Sequence, residues 1–312
     1  MAAGVIVMAG RWLKGNTHTH TTYSDGDSSP ETVVDWYANH GYDFLFLTDH
    51  NVVIPESHLV QLQRRGPRVW PGEEITMGLV HVNGLGARET IPLPRRPISA
   101  DPSGYPLRPS VLIRWAAWRV ASQRGVSCVN HPNLYRGLIA ADIQPARNAR
   151  LLEIANMNPE ASKSNGGNAT RPSTEQLWDA LLGAGRRVWG VASDDAHHFQ
   201  TWGANRANPG RGWLMVEAAP ELDACLAALD EGRFYASTGL ELSDYRVTQD
   251  ELVIELAGPS ACIELIGPGG QQLDAVEGQR ARFAVPDALA YARVRVTDTG
   301  GARLWTQPCF RR

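Results

Sequence analysis

Histidines that alternate with threonines open the part of this sequence that could carry chemistry. Residues 16–26 read N-T-H-T-H-T-T-Y-S-D-G, which places His18 and His20 two positions apart. Residues two apart on an extended strand face the same way, so both imidazoles can reach one metal ion. Asp25 lies beyond a turn and could serve a neighbouring ion. A histidine pair of this spacing alone also fits an ordinary, partly exposed strand.

Further imidazole and carboxylate side chains follow apolar runs that are typical of strands. The run at residues 44–48 leads into Asp49-His50, and the pair Glu73-Glu74 precedes Ile75. If the strand buries Ile75, one of the two glutamates points into the mouth of the fold. Four more candidates occur near predicted strand ends, namely His81, His131, Asp195 and His197.

This mixture of ligand types indicates transition metals. Imidazole with carboxylate suits Zn, Mn or Fe better than Ca or Mg alone. The histidines are too many for one closed site, so two or three divalent ions that share bridging carboxylates fit better. Because no cysteine belongs to the set, a structural zinc knuckle is disfavoured.

The elements that position these residues alternate between strands and helices. Strands are predicted at residues 44–48, 126–129, 151–155 and 187–192, and helices at residues 31–40, at 110–124 and from Ser173, with Gln176 as its capping-box partner. Such a βα repeat predicts an α/β fold with parallel strands and outer helices. In these folds functional side chains lie at the carboxyl ends of strands, where the candidates fall.

The texture changes after residue 238. Short strands separated by Gly, Pro and Asp turns predict a small antiparallel β-sandwich. We therefore expect a metallohydrolase barrel at residues 1–238 and the sandwich at residues 239–312. The apolar residues 2–10 are interpreted as a first barrel strand or a flexible terminus rather than a signal peptide.

Composition narrows the function. The 312 residues are 43% hydrophobic and 20% charged, with a formal net charge of -3. Nothing indicates a long nucleic acid as partner, although a groove for a nucleotide stays open. Four cysteines without a CxxC pair indicate free thiols and a reducing, cytoplasmic location. No run predicts a membrane span.

Taken together, these motifs resemble the polymerase and histidinol phosphatase (PHP) family. The likeness covers about residues 12–200: H-x-H with a trailing S-D-G, then T-D-H-N, G-x-E, a histidine, a strand-end H-P and a late D-x-H. It implies a distorted (β/α)7-type barrel with a trinuclear metal site, and it selects Glu74 over Glu73. The implied ligands are His18, His20, Glu74 and Asp195 for one ion, Glu74, His81 and His131 for a second, and Asp25, His50 and His197 for a third.

Metal ions of this kind imply hydrolysis. A water between two cations has its pKa lowered towards about 7, from about 15.7 in bulk. Glu74 and Asp195 are thus expected to take part in catalysis, and His198 (or Asp194) could protonate the leaving group or only support the ligands. Arg171, Lys163 and Arg136 could bind a phosphate, or be solvated surface charges.

The function expected first is a phosphoesterase acting on a small phosphorylated molecule or nucleotide. A carbamate, ester or amide hydrolase is the alternative, because residues 14–27, 233–239 and 305–308 resemble the branch of the family named for the carbaryl hydrolases. A metal-binding scaffold without catalysis is a third hypothesis, against which the complete set of ligands argues. The sequence leaves the oligomeric state open.

Overall fold

A computed structural model of the chain describes residues 6–7, 11–94, 107–135, 137–248 and 251–310. Its helices are Pro30–Asn39 (α1), Glu56–Leu62 (α2), Pro109–Ser122 (α3), Ala140–Ile143 (α4), Pro159–Asn165 (α5), Thr174–Gly183 (α6) and Leu222–Glu231 (α7). Its strands are Ile6–Val7 (β1), Trp12–Asn16 (β2), Phe44–Leu47 (β3), Arg68–Met77 (β4), Val80–Leu85 (β5), Val126–Val129 (β6), Ala149–Asn156 (β7), Trp189–Ser193 (β8), Trp213–Glu217 (β9), Phe234–Ser237 (β10), Leu242–Val247 (β11), Glu251–Leu256 (β12), Ala261–Ile266 (β13), Gln272–Gly278 (β14), Arg280–Ala284 (β15), Tyr291–Thr297 (β16), Arg303–Thr306 (β17) and Cys309–Phe310 (β18). Within these ranges no helix is long and apolar enough to cross a membrane.

Local sequence signals fix the helix ends that position the site. The predicted capping box of α6 is confirmed: the Ser173 hydroxyl accepts from the Gln176 amide at 3.0 Å, and the Gln176 side chain accepts from the Ser173 amide at 2.8 Å. Helix α1 begins at Pro30, and Gly41 follows its end with a φ of 75°. The four cysteines are free thiols, as expected.

One large mixed sheet runs through the molecule in the order β14-β13-β16-β17-β10-β9-β2-β3-β4-β5-β6-β7-β8. Strands β2, β3 and β4 are parallel, as are β6, β7 and β8. The expectation of parallel pairing is wrong for β5, which is antiparallel to both β4 and β6. A two-residue turn at Gly78, with a φ of 66°, joins β4 to β5 and leaves no chain for a crossover.

The edge strand β8 is tied back to the molecule by side-chain and backbone bonds. Gln307, just after β17, donates to the carbonyl of Gly190 at 2.8 Å and accepts from its amide at 2.9 Å. An isolated parallel bridge joins Thr19, beyond β2, to Ala196, beyond β8. The sheet therefore curls, so that the parallel strands β2–β4 and the parallel strands β6–β8 meet at one rim. Full closure into a barrel stays a prediction.

The carboxyl-terminal strands belong to two sheets that share one hydrophobic cluster. Strands β11, β12 and β15 form a four-stranded sheet with β1, whereas β13, β14, β16 and β17 continue the large sheet through β10. Residues 6–7 are thus paired with β11, and the expectation of a first barrel strand there is wrong. The large sheet contains strands from both sides of the boundary predicted at residue 239, because β10 pairs with β17. The division into two domains stays a prediction.

A buried ion-pair network joins α6 to β16. The Arg293 side chain is fully buried, and its Nη2 lies 2.8 Å from both Glu175 Oε1 and Asp179 Oδ2. The Tyr291 hydroxyl donates to Asp179 at 3.0 Å. Because a buried charge is costly when unpaired, this network holds the carboxyl-terminal strands in one position against the helix.

Replacing Arg293 by Met should lower the free energy of unfolding by about 3–5 kcal/mol, because buried Asp179 loses its cation and Glu175 keeps only Arg295, at 3.3 Å. Urea unfolding of the metal-free protein, followed by tryptophan fluorescence, measures the change. The matched control is Arg246→Met, which removes a half-exposed pair with Asp244 and should cost less than about 1 kcal/mol. Equal losses in the two variants would contradict the role given to the network.

Candidate metal centre

The H-x-H and D-x-H segments are backbone neighbours at the rim of the sheet. The Asp195 amide donates to the His18 carbonyl at 3.0 Å, and the His20 amide donates to the Ala196 carbonyl at 2.9 Å. Two motifs almost 180 residues apart in sequence therefore meet by main-chain pairing, which aims their side chains into the same space.

The remaining candidates join the same rim by main-chain bonds. The Glu74 amide donates to the Asp49 carbonyl at 3.1 Å, so Glu74 lies beside the segment of His50. The Asn130 amide donates to the His81 carbonyl at 3.1 Å, which places His131 next to β5. The antiparallel turn between β4 and β5 brings His81 back to Glu74, at 3.0 Å between Nδ1 and Oε1.

Two carboxylate oxygens form the centre of the cluster. His18 Nε2 and His20 Nε2 each lie 3.2 Å from Asp195 Oδ1 and 3.4 Å from Glu74 Oε2. Neither nitrogen has a hydrogen-bond partner, although both are buried. Tetrahedral ligands at zinc distances of about 2.0–2.2 Å are about 3.3–3.5 Å apart. The ligand atoms of His18, His20 and Glu74, which all lie within 4.8 Å of one another, could therefore hold one cation.

Glu74 presents its two oxygens to different imidazoles. Its Oε2 faces His18 and His20 and lies 3.0 Å from His50 Nδ1, whereas its Oε1 lies 3.0 Å from His81 Nδ1 and 3.2 Å from His131 Nε2. A carboxylate with ligand-type nitrogens around both oxygens has the geometry of a bridging group. Glu73 instead points to the opposite face, where its Oε1 accepts from the Ile91 amide at 2.7 Å.

Asp25 forms the outer part of the cluster. Its Oδ1 lies 3.4 Å from His197 Nε2 and 3.5 Å from His20 Nδ1, and its Oδ2 lies 3.5 Å from His50 Nε2. Its side chain is 56% exposed, in contrast to the buried centre. This side of the cluster is thus the one that faces solvent.

All nine predicted ligands fall into four overlapping groups whose ligand atoms lie within 4.8 Å of one another. The groups are His20, Asp25, His50 and His197; His18, His20 and Glu74; His18, His131 and Asp195; and His50, Glu74 and His81. The structure therefore brings the predicted residues together. It places His131 with His18 and Asp195 as well as with Glu74, and the division into three ions stays a prediction.

Burial and neighbouring opposite charges shift the pKa values of the side chains in the cluster in opposite directions. Burial opposes ionisation of Glu74, but the surrounding imidazoles, with His18 first, hold its pKa well below its usual range. Burial and the neighbouring His197 lower the pKa of His20 to about 4. Despite burial, Asp25 and Glu74 raise the pKa of His50 to about 10. The cluster thus combines buried anions with imidazoles of unequal basicity.

Strained backbone accompanies the ligands. Three of the residues with positive φ that are not glycine belong to the rim: His131 at 23°, Asp195 at 49° and Asn51, next to His50, at 55°. Such conformations cost of order 1–3 kcal/mol each and persist where the surroundings impose them. At this rim the positive φ values set the direction in which the ligand side chains leave the backbone.

Sequence reasoning missed two carboxylates that support the cluster. Asp49 accepts from the amide and hydroxyl of Thr21, each at 2.8 Å, and from the Ser24 hydroxyl at 2.7 Å, which holds the loop that carries Asp25. Glu153 is buried in β7 and accepts from His18 Nδ1 at 2.7 Å. The available signal for Glu153 was an acid in the middle of an apolar strand.

Asp194, one of the two groups considered as a proton donor, accepts hydrogen bonds that hold the surrounding structure. It accepts from the side chains of Asn16 at 2.7 Å and Tyr37 at 2.8 Å, and from the backbone amides of residues 210–212 at 2.7–2.9 Å. Five donors leave this buried carboxylate no place for a transferable proton. Its role is to anchor the loop before β9.

His198, the other candidate donor, lies outside the four groups. Its Nε2 is 3.4 Å from Arg206 Nη1, and partial burial together with this guanidinium lowers its pKa below 6.5. The role of His198 as a proton donor stays a prediction.

The predicted phosphate-binding residues are placed unequally. Lys163 is exposed on α5. The Arg171 guanidinium donates to the carbonyls of Asn133 at 2.6 Å and Tyr135 at 3.2 Å, and so braces the loop that follows His131. Arg136 lies outside the described residues.

Comparison with solved structures identifies the fold. The chain is similar over 98% of its length to 98% of a two-domain protein from Bacteroides vulgatus that contains a predicted PHP-like metal-dependent phosphoesterase, with a TM-score of 0.55 and 16% identity. The PHP-like fold expected from the motifs is thereby confirmed. At this identity the likeness concerns the fold alone, and the likeness to the carbaryl-hydrolase branch stays a prediction.

Two further structures match part of the chain, each with a TM-score of 0.41 and 16% identity. A protein from Bifidobacterium adolescentis, assigned as a metal-dependent phosphoesterase, matches over 62% of this chain and 89% of its own. An amidohydrolase from Chromobacterium violaceum, with bound sulfate and no metal, matches over 60% and 88%. No protein-family model and no curated protein matches the sequence.

Replacing Asp194 by Asn should lower the free energy of unfolding by about 3 kcal/mol, because the amide nitrogen faces backbone donors and leaves them unsatisfied. Chemical denaturation with and without added Zn²⁺ measures the loss. Asp223→Asn is the control, since this side chain is 90% exposed and its replacement should cost less than about 0.5 kcal/mol. Native stability with a selective loss of turnover would instead make Asp194 a proton donor.

Proposed function

We propose that this chain is a PHP-family metal-dependent hydrolase. The observation that carries the proposal is the pair of buried nitrogens, His18 Nε2 and His20 Nε2, which lack hydrogen-bond partners and converge on the same oxygens of Glu74 and Asp195. Buried polar atoms without partners are rare in folded proteins, and the binding of an ion is one of the accepted reasons for them. The donor set of imidazole and carboxylate fits Zn, Mn or Fe.

The residues would divide their duties by position. Glu74, with imidazoles around both oxygens, would bridge two ions, and Asp195 would join His18 and His20 at the buried one. Asp25, His50 and His197 would hold an ion at the solvent side. Bound divalent cations supply Lewis-acid chemistry, activating water and polarising the bond that is cleaved.

Access to solvent favours an enzyme over a non-catalytic scaffold. Structural zinc sites are closed, whereas catalytic sites keep an open position. The Asp25 side chain is 56% exposed and that of His50 is 25% exposed, while His18 and His20 are fully buried. A small substrate would therefore approach the cluster from the Asp25 side.

Among hydrolases, a phosphoesterase for a small phosphorylated molecule or nucleotide is the preferred proposal. It is supported by the full-length fold neighbour, which contains a predicted phosphoesterase. The resemblance behind the carbamate, ester or amide alternative rests on residues 14–27, 233–239 and 305–308. The last two segments contain β10 and the end of β17. These two strands pair with each other, as Tyr235 with Thr306 and Ala236 with Trp305. A buried pair of strands reports shared architecture better than it reports a shared substrate.

Reconstitution with Zn²⁺ or Mn²⁺ should yield hydrolysis of aryl phosphate monoesters or diesters that exceeds turnover of an aryl carbamate and an aryl ester. The reason is that cations held about 3.5–4 Å apart stabilise the charge of a phosphoryl transition state. Initial rates on the four substrates, with metal content from atomic emission, make the comparison.

Treatment with EDTA, and the Asp195→Ala variant, should remove both the phosphatase rate and at least one equivalent of metal. Faster cleavage of the carbamate or ester would select the alternative function. Full metal content and full activity in Asp195→Ala would contradict the site itself.

Lys163→Ala should raise the KM for a phosphate substrate by about 10-fold, or about 1.4 kcal/mol, without changing metal content. Lys163 is the better probe because Arg171 also braces the loop of His131. Arg64→Ala, which removes another exposed cation, is the control and should leave KM unchanged. An unaltered KM in Lys163→Ala would remove this residue from the substrate site.

A further inference from the structure

We propose that Glu153 is a positioning residue that fixes the tautomer of His18 and ties three metal ligands into one hydrogen-bonded unit. The inference rests on the proposed metal-dependent function and concerns how the buried ion site is prepared.

The Glu153 carboxylate is almost fully buried and accepts four hydrogen bonds. Its Oε1 accepts from His18 Nδ1 at 2.7 Å and from the Ser193 hydroxyl at 2.5 Å. Its Oε2 accepts from the His131 amide at 2.6 Å and from Asn156 Nδ2 at 2.9 Å. Three of these partners, the Ser193 hydroxyl, the His131 amide and Asn156 Nδ2, are donors whatever the tautomer of His18, and a carboxylate that accepts on both oxygens is best satisfied when it is ionised.

The bond to His18 determines which ring nitrogen carries the proton. An ionised carboxylate can only accept, so that the short contact to Nδ1 requires the proton to be on Nδ1. In the neutral ring Nε2 then carries the lone pair, and Nε2 is the buried nitrogen that faces Glu74 and Asp195 without a hydrogen bond. The ligand nitrogen is thus aimed at the oxygens of Glu74 and Asp195, and it carries the lone pair whenever the ring is neutral.

The same carboxylate reaches two further ligands. Its bond to the His131 amide holds a residue whose φ is 23°, a conformation that needs external support. Asn156 donates through one amide group to Glu153 Oε2 and, at 3.1 Å, to Asp195 Oδ2. His18, Asp195 and His131 form one of the four ligand groups, and Glu153 contacts all three directly or through Asn156.

Glutamine is the informative substitution because it keeps the volume of the side chain. It replaces one of the two acceptor oxygens by a donor, and four donors then compete for a single oxygen. Glu153→Gln should weaken Zn²⁺ binding by about 10–100-fold, the usual cost of removing a partner of a metal-bound histidine. It should also alter the ring ¹⁵N shifts of His18.

The experiment combines Zn²⁺ affinity, measured by competition with a chromophoric chelator, with ¹⁵N-histidine NMR of the Zn²⁺-loaded protein, in which His18→Gln identifies the His18 signals. Glu175→Gln is the matched control: Glu175 is also a buried carboxylate, but it binds Arg293, and its loss should lower stability while Zn²⁺ affinity stays unchanged. The wild-type spectrum should show His18 protonated at Nδ1 and bound through Nε2.

The outcomes separate this inference from the function on which it rests. Wild-type protein that binds no Zn²⁺ would defeat the metal-dependent function and the positioning role with it. Wild-type protein that binds Zn²⁺ with His18 protonated at Nε2 would overturn the inference alone, even if Glu153→Gln did not fold. So would a Glu153→Gln variant with unchanged affinity and unchanged His18 shifts.

Discussion

The burial of one carboxylate, that of Glu74, is the constraint around which the site is built. Its side chain is 1% exposed, and an ionised carboxylate in that position costs several kcal/mol unless charges or donors compensate it. Compensation comes from Asn130, which donates to Oε1 at 2.8 Å, and from imidazoles around both oxygens. Those imidazoles are His18, His20, His50, His81 and His131. Each comes from a different strand end or turn, except for His18 and His20, and so one carboxylate fixes the relative position of several segments.

At the rim, pairs of adjacent residues have two different roles: one residue is a predicted ligand, and the other is an acid that binds backbone amides. Three ligands are preceded directly by a carboxylate that lies outside the four ligand groups and accepts backbone amides. The three pairs are Asp49 with His50, Glu73 with Glu74, and Asp194 with Asp195. The first member bonds the amide of Thr21, that of Ile91, or those of residues 210–212, respectively. Each ligand is therefore braced by the loop that its own neighbour holds.

The sequence predicted the ligands better than it predicted their support. His18 and His20 could be found because alternation on a strand and the end of an apolar run are local signals. The direction of Glu73 depends on the loop at Ile91, and the role of Glu153 depends on pairing of β7 with β6 and β8, neither of which has a local signature. The reversal at Gly78 was missed for a different reason: a two-residue turn between apolar runs was interpreted within a parallel repeat. The large sheet passes from β10 to β17 across the change in sequence pattern at residue 238, so this change did not mark an end of the sheet.

Protons alone do not provide a satisfactory arrangement for His20. Its Nε2 faces Glu74 and Asp195, and its Nδ1 faces Asp25 Oδ1 at 3.5 Å, so either neutral tautomer directs a lone pair at a carboxylate. The Ser24 hydroxyl, 3.4 Å from Nδ1, does not relieve this, because it donates to Asp49. Protonating both nitrogens would satisfy the carboxylates, but burial and the stacked ring of His197, at 4.1 Å between centroids, oppose a charged ring. A cation next to Nε2 removes the conflict, since it accepts the lone pair of a neutral imidazole and the charge of both buried carboxylates at once.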